Sequence, residues 1–395
     1  MHIKLPFNIG KDVRMGAEKT MNQEICRGRW FHSGKDLAII LLLLMAFILL
    51  LLTEPDSCRG QDEDCDRLML FPSYGYHSEN KSLCINIHGW IYKPEDSSVA
   101  RSMMLSGLKG LVDIENESEN ALFQKRVRKF LVDNQRGREI EVRLFGKKYT
   151  LGPSRPNGHI EGEISVSVKK MRFGGNKPRT LSLEIVRGKD IKYRITHNVD
   201  VLPLKGITII SDIDDTVKIT CVRDKKEAFR NTFLREFRAV PGMSSLYRKW
   251  HKRGYMFHYV SGSPWQIYPS LCEFFDANGF PRAYYHLKDF RLKDSSSLRF
   301  LIGDQLEYKK VIIEDLMRQF PFHRFILVGD SGERDPEVYA GIVKKFRERV
   351  KAVLIRDLGD VPDNNKRYER LYKGLPVKFK SFKRVSEIRR WAETL

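Results

Sequence analysis

Residues 211–216 read SDIDDT, so Asp212, Asp214 and Thr216 stand in the order Asp-x-Asp-x-Thr directly after the apolar run 207–210. Two carboxylates two residues apart at the exit of a strand can face one pocket, an arrangement suited to an aspartyl nucleophile with a neighbouring acid. A second apolar run, 255–260, leads into VSGSPW and places Ser261 and Ser263 at its exit; a third, 325–328, leads into GDSGERDP and adds Asp330 and, five residues on, Asp335. Any one acidic turn alone is ordinarily helix-capping or loop chemistry. Their recurrence at successive strand ends asks for a compensating cation, either a metal or a lysine. In the stretch EYKKVIIEDLMRQFP, Ile313, Leu316 and Phe320 define one helical face, and Lys309, four residues before Ile313, shares it. Lys310 lies about 100° round and is the alternative. Asp215 reads as a solvated turn residue, and Thr216 fits the turn by hydrogen-bonding locally. For Trp265 and Tyr268, shaping the pocket entrance competes with simple packing of the helix that starts at Pro264.

The elements that position these groups follow a strand, helix, strand grammar. The runs 207–210, 255–260, 325–328 and 352–355 are short and apolar, as in buried parallel strands, and amphipathic helices separate them. That pattern predicts an α/β sheet with helices on both faces, whose ligands bind beyond the carboxyl ends of the strands. Residues 68–205 read differently. Strands are expected at 84–92, 141–145, 160–168, 180–186 and 192–201, with one helix at 121–132, which suggests a β-sandwich-like module. The chain of 395 residues is 42% hydrophobic and 30% charged, which excludes a disordered chain and a mini-protein scaffold. Its net charge of +20 favours polyanions: nucleic acid, phosphate-bearing substrates or an anionic membrane surface.

Asp-x-Asp-x-Thr after a strand, serine after the second, lysine on a helix and then Gly-Asp-Ser-Gly-x-x-Asp resemble the haloacid dehalogenase superfamily of phosphotransferases. More narrowly, SDIDDTVK, YVSGSPWQIYPSL and FPFHRFILVGDSGERDPEVY resemble the phosphatidate phosphatase catalytic domain of the actin-patch-protein family, related to the lipins, over about residues 205–375. The segment from HGWIYKPE onward resembles the β-rich region that precedes this domain in bacterial members. The resemblance implies a Rossmann-like domain that hydrolyses phosphatidate to diacylglycerol and phosphate through an aspartyl-phosphate. Asp212 would be the nucleophile and Asp214 the general acid and base, its proton held near neutral pH by acidic crowding. Ser261 and Lys309 would bind the phosphoryl group. Mg²⁺ would be held by Asp212, the backbone carbonyl of Asp214, Asp330 and Asp335. The short spacing from 212 to 261, and a modest insertion at 279–307, leave no room for a large lid, which suits a lipid or macromolecular substrate. The alternatives are a phosphatase of another lipid, a protein or a small phosphomonoester, and a non-catalytic phosphatidate-binding module. Relatives of the last kind generally lack the acidic pair that is present here.

Outside the resemblance, residues 37–52 are unbroken apolar sequence, expected to be a transmembrane anchor. A cleaved signal, favoured if translation starts at Met21, is the alternative. Seven Lys or Arg in residues 1–36 against two in 53–67 predict a cytoplasmic N-terminus and an extracytoplasmic catalytic domain. Cys58, Cys65 and Cys84 cluster past this run, where two of them could pair, whereas Cys221 and Cys272 read as isolated buried thiols. The expected organisation is then a cytoplasmic segment 1–36, an anchor 37–52, a linker 53–67, a β-rich domain 68–205, a phosphatase domain 206–375 and a basic C-terminal extension with a helix, 376–395. Residues 366–390 hold ten Lys or Arg against two Glu, interleaved with Tyr368, Tyr372, Phe379 and Phe382. The stripe suits an anionic lipid surface, or else is a solvated basic face. Nucleic acid is not expected, because no recognised binding module accompanies the charge.

Overall fold

A computed structural model describes residues 66–78, 82–93, 114–167, 178–187, 194–290, 305–359 and 364–395. The first sheet is built from β1 (Arg67–Leu70), β2 (Ser73–His77), β3 (Ser82–Lys93), β4 (Asp133–Asn134), β5 (Ile140–Leu144), β6 (Lys147–Leu151), β7 (His159–Ser167), β8 (Arg179–Arg187) and β9 (Arg194–Val201). Its order is β1-β3-β2-β9-β8-β5-β6, with β4 and β7 also pairing β3, and every pairing is antiparallel except β2 with β9. Alternation sets the faces: in β7, Ile160 and Ile164 turn inward while Glu161 and Glu163 do not. The inward residues join Leu83, Ile85, Val142, Leu151, Ile185 and Val199 in one core. The sheet curls, bringing Leu151 of β6 so close over β7 that any side chain carbon on Gly162 would meet it at 2.5 Å. The expected helix forms as α1 (Glu117–Val127), started by Asn116, whose side chain accepts from the Glu119 amide.

The second sheet holds β10 (Gly206–Ser211), β11 (Met256–Pro264), β12 (Tyr284–Lys288), β13 (His323–Asp330), β14 (Val350–Arg356) and β15 (Lys378–Phe382) in the order β12-β11-β10-β13-β14-β15, parallel throughout. Both faces are buried, as an all-parallel sheet requires. Ile209, Ile326, Val328, Ala352 and Leu354 face one core with α2 (Lys225–Phe233) at its margin and α3 (Met243–Lys252), α4 (Tyr268–Ala277) and α8 (Val385–Glu393) packed in it. Ile210, Phe325, Leu327, Val353 and Ile355 face the other, with α5 (Gln305–Gln319), α6 (Asp335–Phe346) and α7 (Asn364–Tyr372). The α/β architecture with a parallel sheet is thus as expected from the strand runs.

The two sheets share side chains. Phe71 and Trp90 of the first belong to a core of the second, and Tyr74 and Leu202 to the other. Phe71 lies 4.1 Å, ring to ring, from Trp265. Tyr74 donates to Gln319 at 2.7 Å, and Asp200 accepts from Tyr284 at 3.0 Å.

Three expectations change. Residues 376–395 are no extension: β15 is the edge strand of the parallel sheet, and Val385, Ile388 and Ala392 are core. The aromatics of the basic stripe turn inward, Tyr372 stacking on Phe379 at 4.2 Å, while Lys366, Arg370, Lys373, Lys378, Lys380, Lys383, Arg384, Arg389 and Arg390 point to solvent. The assignment as a single-pass membrane protein with an extracytoplasmic catalytic domain is overturned, because among the described residues no helix is long and apolar enough to cross a membrane. The longest among the described residues, α5, has 15 residues and carries Glu307, Lys309, Lys310, Glu314, Asp315 and Arg318, against the roughly 20 apolar residues a crossing needs. The run 37–52, the linker and Cys58 and Cys65 lie outside the described residues; Cys84 is a buried, unbridged thiol in β3.

Candidate active site

Because all six strands run the same way, the carboxyl ends of β10, β11 and β13 open on one edge of the sheet, and the singled-out residues meet there. Asp212 continues the β10 ladder, its amide donating to the Val328 carbonyl at 2.9 Å. Lys309, in the first turns of α5, reaches across to it at 2.9 Å and donates also to Asp335 Oδ1 at 2.7 Å and Glu333 Oε2 at 2.9 Å. The inward helical face inferred from Ile313, Leu316 and Phe320 is the observed one; Lys310 points outward to Glu307. Asp330 ends β13, where its Oδ1 accepts from the Gly332 and Glu333 amides, and Asp335 opens α6, where its Oδ2 accepts from the Asp330 amide at 3.3 Å. Ligand atoms of Asp212, Asp330 and Asp335 lie within 4.8 Å of one another.

Gly329 makes this approach possible. A Cβ there would sit 2.3 Å from Asp335 Oδ2, a distance no side chain tolerates.

Asp214 faces a different set of partners. Its Oδ1 accepts from Lys218 Nζ and from Thr220 Oγ1, both at 2.7 Å, and its Oδ2 from Ser263 Oγ at 2.8 Å and Ser261 Oγ at 3.2 Å. Both serines at the β11 exit are therefore spent on Asp214, and the Ser263 amide donates to Ser261 Oγ at 3.0 Å.

Electrostatics divide the acids. Burial pushes the Asp212 carboxyl well above the ordinary carboxylate range, with Asp335 and Glu333 adding to the rise and Lys309 opposing it. Burial, then Asp335 and Asp212, raise Asp330 likewise. For Lys309, burial works against the charge, but Asp212, Asp335 and Glu333 outweigh it and hold the ammonium well above its usual value. Asp214 goes the other way. Burial alone would raise it, yet Lys218, Thr220 and Ser263 bring it down to about 2. These three partners thus leave Asp214 ionised, where acidic crowding was expected to hold a proton on it near neutral pH.

Four residues take places that the spacing did not suggest. Asp215 is buried, not solvated: in a left-handed conformation (φ 55°), its carboxylate gathers the amides of Thr220, Cys221 and Val222 at 2.7–2.9 Å and closes the 215–222 loop. Thr216 is buried with its hydroxyl unmatched among the described residues, not bonded locally. Lys218, 1% exposed, is the cation on Asp214, and Glu333 is the third carboxylate on Lys309. The signal for Lys218 was a lysine four residues beyond Asp214 in DDTVK, readable only once the loop is known to fold back. Trp265 and Tyr268 are buried against Phe71, so packing accounts for both.

Residues 207–357 match the family described as phosphatidate phosphatase APP1, catalytic domain. An uncharacterised protein of Schizosaccharomyces pombe is 32% identical over 164 residues, 40% of this chain and 26% of that protein. Phosphatidate phosphatase APP1 of Saccharomyces cerevisiae is 34% identical over 168 residues, 40% of this chain and 28% of that protein. The chain therefore spans little more than a quarter of the length of these curated relatives. A solved class C acid phosphatase from Bacillus anthracis, with tungstate bound, overlaps 36% of this chain and 62% of its own at 13% identity and a TM-score of 0.24, too slight a likeness to argue from. Asp212, Asp214, Ser261, Lys309, Asp330 and Asp335 all lie within the segment that matches the phosphatidate phosphatase APP1 catalytic domain.

Proposed function

We propose that this chain is a Mg²⁺-dependent phosphatidate phosphatase of haloacid dehalogenase type, its parallel-sheet domain carrying the chemistry and a sandwich-like β-rich domain bracing it. The observation that supports this reading is the meeting of Asp212, Lys309, Asp330 and Asp335 at one point on the sheet edge, within the family segment.

The donor set fits a hard divalent ion. Asp212 Oδ2 and Asp330 Oδ2 are buried without a hydrogen-bond partner among the described residues, and every nearby ligand atom is oxygen. Asp212, Asp330 and Asp335, with the backbone carbonyl of Asp214, would hold Mg²⁺. When bound, Mg²⁺ supplies charge that offsets the carboxylates and the phosphoryl oxygens.

Asp212 attacks phosphorus, forming the aspartyl-phosphate as the ester P–O bond breaks. Asp214 is ionised at rest, so the proton for the departing alkoxide comes through it from the Lys218 ammonium at 2.7 Å. Water then attacks the same phosphorus, giving its proton to Asp214, and phosphate leaves Asp212. Lys309 balances charge on the nucleophile and the transferred group. The hydroxyls of Ser261 and Ser263 hold Asp214 in place and stand next to the phosphoryl oxygens.

Between Asp214 and Ser261 the described residues hold α2 and α3 and no lid. An open mouth admits a headgroup still seated in a bilayer, and the exposed basic residues of α7, β15 and α8 suit an anionic membrane surface.

The test measures phosphate release by the full chain from phosphatidate vesicles and from soluble phosphomonoesters, with and without Mg²⁺. Mg²⁺-dependent release from phosphatidate is expected, lost by at least about a thousandfold in Asp212→Asn while vesicle binding is kept. Hydrolysis of soluble esters alone removes the lipid assignment. Vesicle binding without turnover by the wild type makes the domain a phosphatidate sensor.

A further inference from the structure

An ammonium has three N–H donors, and Lys309 has committed all of them: to Asp212, to Asp335 and to Glu333. A phosphoryl group that is to use the Lys309 charge must displace one. Asp212 and Asp335 have no room to swing aside, being 1% and 0% exposed, and Asp335 Oδ2 is held further by the Asp330 amide. Glu333 can, since its side chain is 22% exposed at the rim of the site, on the loop between β13 and α6.

That loop is itself held. Arg367 of α7 donates to the Ser331 carbonyl at 3.0 Å and the Glu333 carbonyl at 3.1 Å, and pairs with both oxygens of Glu337. The backbone is pinned, and the carboxylate at its tip reaches Lys309 from the rim.

We infer that the Glu333 carboxylate occupies the phosphate subsite on Lys309 as a displaceable stand-in, and that this competition selects phosphomonoesters over phosphodiesters. The inference rests on the phosphatase reading above and deepens it. Exchanging a singly charged carboxylate for a monoester phosphate near two negative charges gains Coulomb energy against Lys309. Exchanging it for a diester, which carries one, gains nothing. On a bilayer, where most phospholipid headgroups are phosphodiesters, such a competitor keeps them off the lysine.

The test is calorimetric binding to the full chain at saturating Mg²⁺, with inorganic phosphate and dimethyl phosphate as probes, for wild type, Glu333→Gln and Glu333→Ala. Loss of one charge-assisted competitor should tighten phosphate binding about tenfold in both variants and bring dimethyl phosphate into measurable range. Unchanged or weaker phosphate binding in the variants overturns the inference, since Glu333 would then support the site rather than compete for it. If that happens while wild type still releases phosphate from phosphatidate vesicles, only the Glu333 role is lost. If neither binding nor release occurs in any form, the phosphatase reading falls with it.

Discussion

Asp212 and Asp214 sit two residues apart, yet one carboxyl is pushed up by burial and its acidic neighbours while the other is held at about 2 by Lys218, Thr220 and Ser263. The strand alternation that lets both face the pocket also gives each its own partners. Lys218 is the deciding group, because a lysine this buried is tolerated only where an anion compensates it. Lys218→Met leaves Asp214 buried without its counter-charge. A loss of about 3 kcal/mol in denaturant unfolding at neutral pH is expected, together with a kcat for phosphate release that falls more than KM rises. An unchanged kcat would remove Lys218 from the proton path. The acids at 212, 214, 330 and 335 and the lysine at 309 were legible in the sequence because strand exits and a helical face place them with only local information. Lys218, Asp215 and Glu333 were not. Their contacts depend on a left-handed turn at Asp215 and on the fold-back of two loops, which no period of 2 or 3.6 encodes.

At the level of elements, the site depends on how closely β13 and α6 approach, and Gly329 sets that distance. Gly329→Ala would drive the Asp335 carboxylate away from Lys309 and the Asp330 amide. Phosphate release should fall by about a hundredfold or more, as for misplacement of a catalytic group by an ångström, and a direct Mg²⁺ titration should show weakened binding. Normal Mg²⁺ affinity would mean that Asp335 is not part of the ion's cradle. Four of the six parallel strands were legible as apolar runs. The remaining two are the edges, where one side of the ladder faces no neighbour: β12 reads YYHLK and β15 reads KFKSF, aromatic or basic sequences without the unbroken apolar signature. The same exposure explains why the 366–390 stretch read as a possible lipid stripe. Its lysines and arginines face water, while its aromatics alternate inward onto the core.

Across the whole molecule, the seam between the two sheets is lined by histidines, of which His159 and His258 are buried and His88 and His286 half-buried. His88 lies 2.8 Å from His159, and His258 lies 3.0 Å from His286, nitrogen to nitrogen. Burial lowers all four; His286 falls to about 4 and His159 to about 3. A histidine depressed in the folded state takes up its proton first in the unfolded chain. Its stabilising share is therefore complete above pH 6.5 and is lost as pH falls toward the folded value. For His286 the window is pH 6.5 to about 4 and the share about 3 kcal/mol. Because the raised carboxyls of Asp212 and Asp330 act oppositely, the check is a difference: denaturant unfolding of wild type should weaken more steeply across that window than His286→Gln does. Parallel curves would contradict it.

Trp265 ties the scales together. It follows Ser263, one of the hydroxyls holding Asp214, by two positions, and its indole rests on Phe71 and His88 of the β-rich sheet. Severing the chain near residue 205, where the sequence grammar changes, would bare that ring and slacken the serine that holds Asp214. The β-rich half is in this sense a foundation wall of the proposed site.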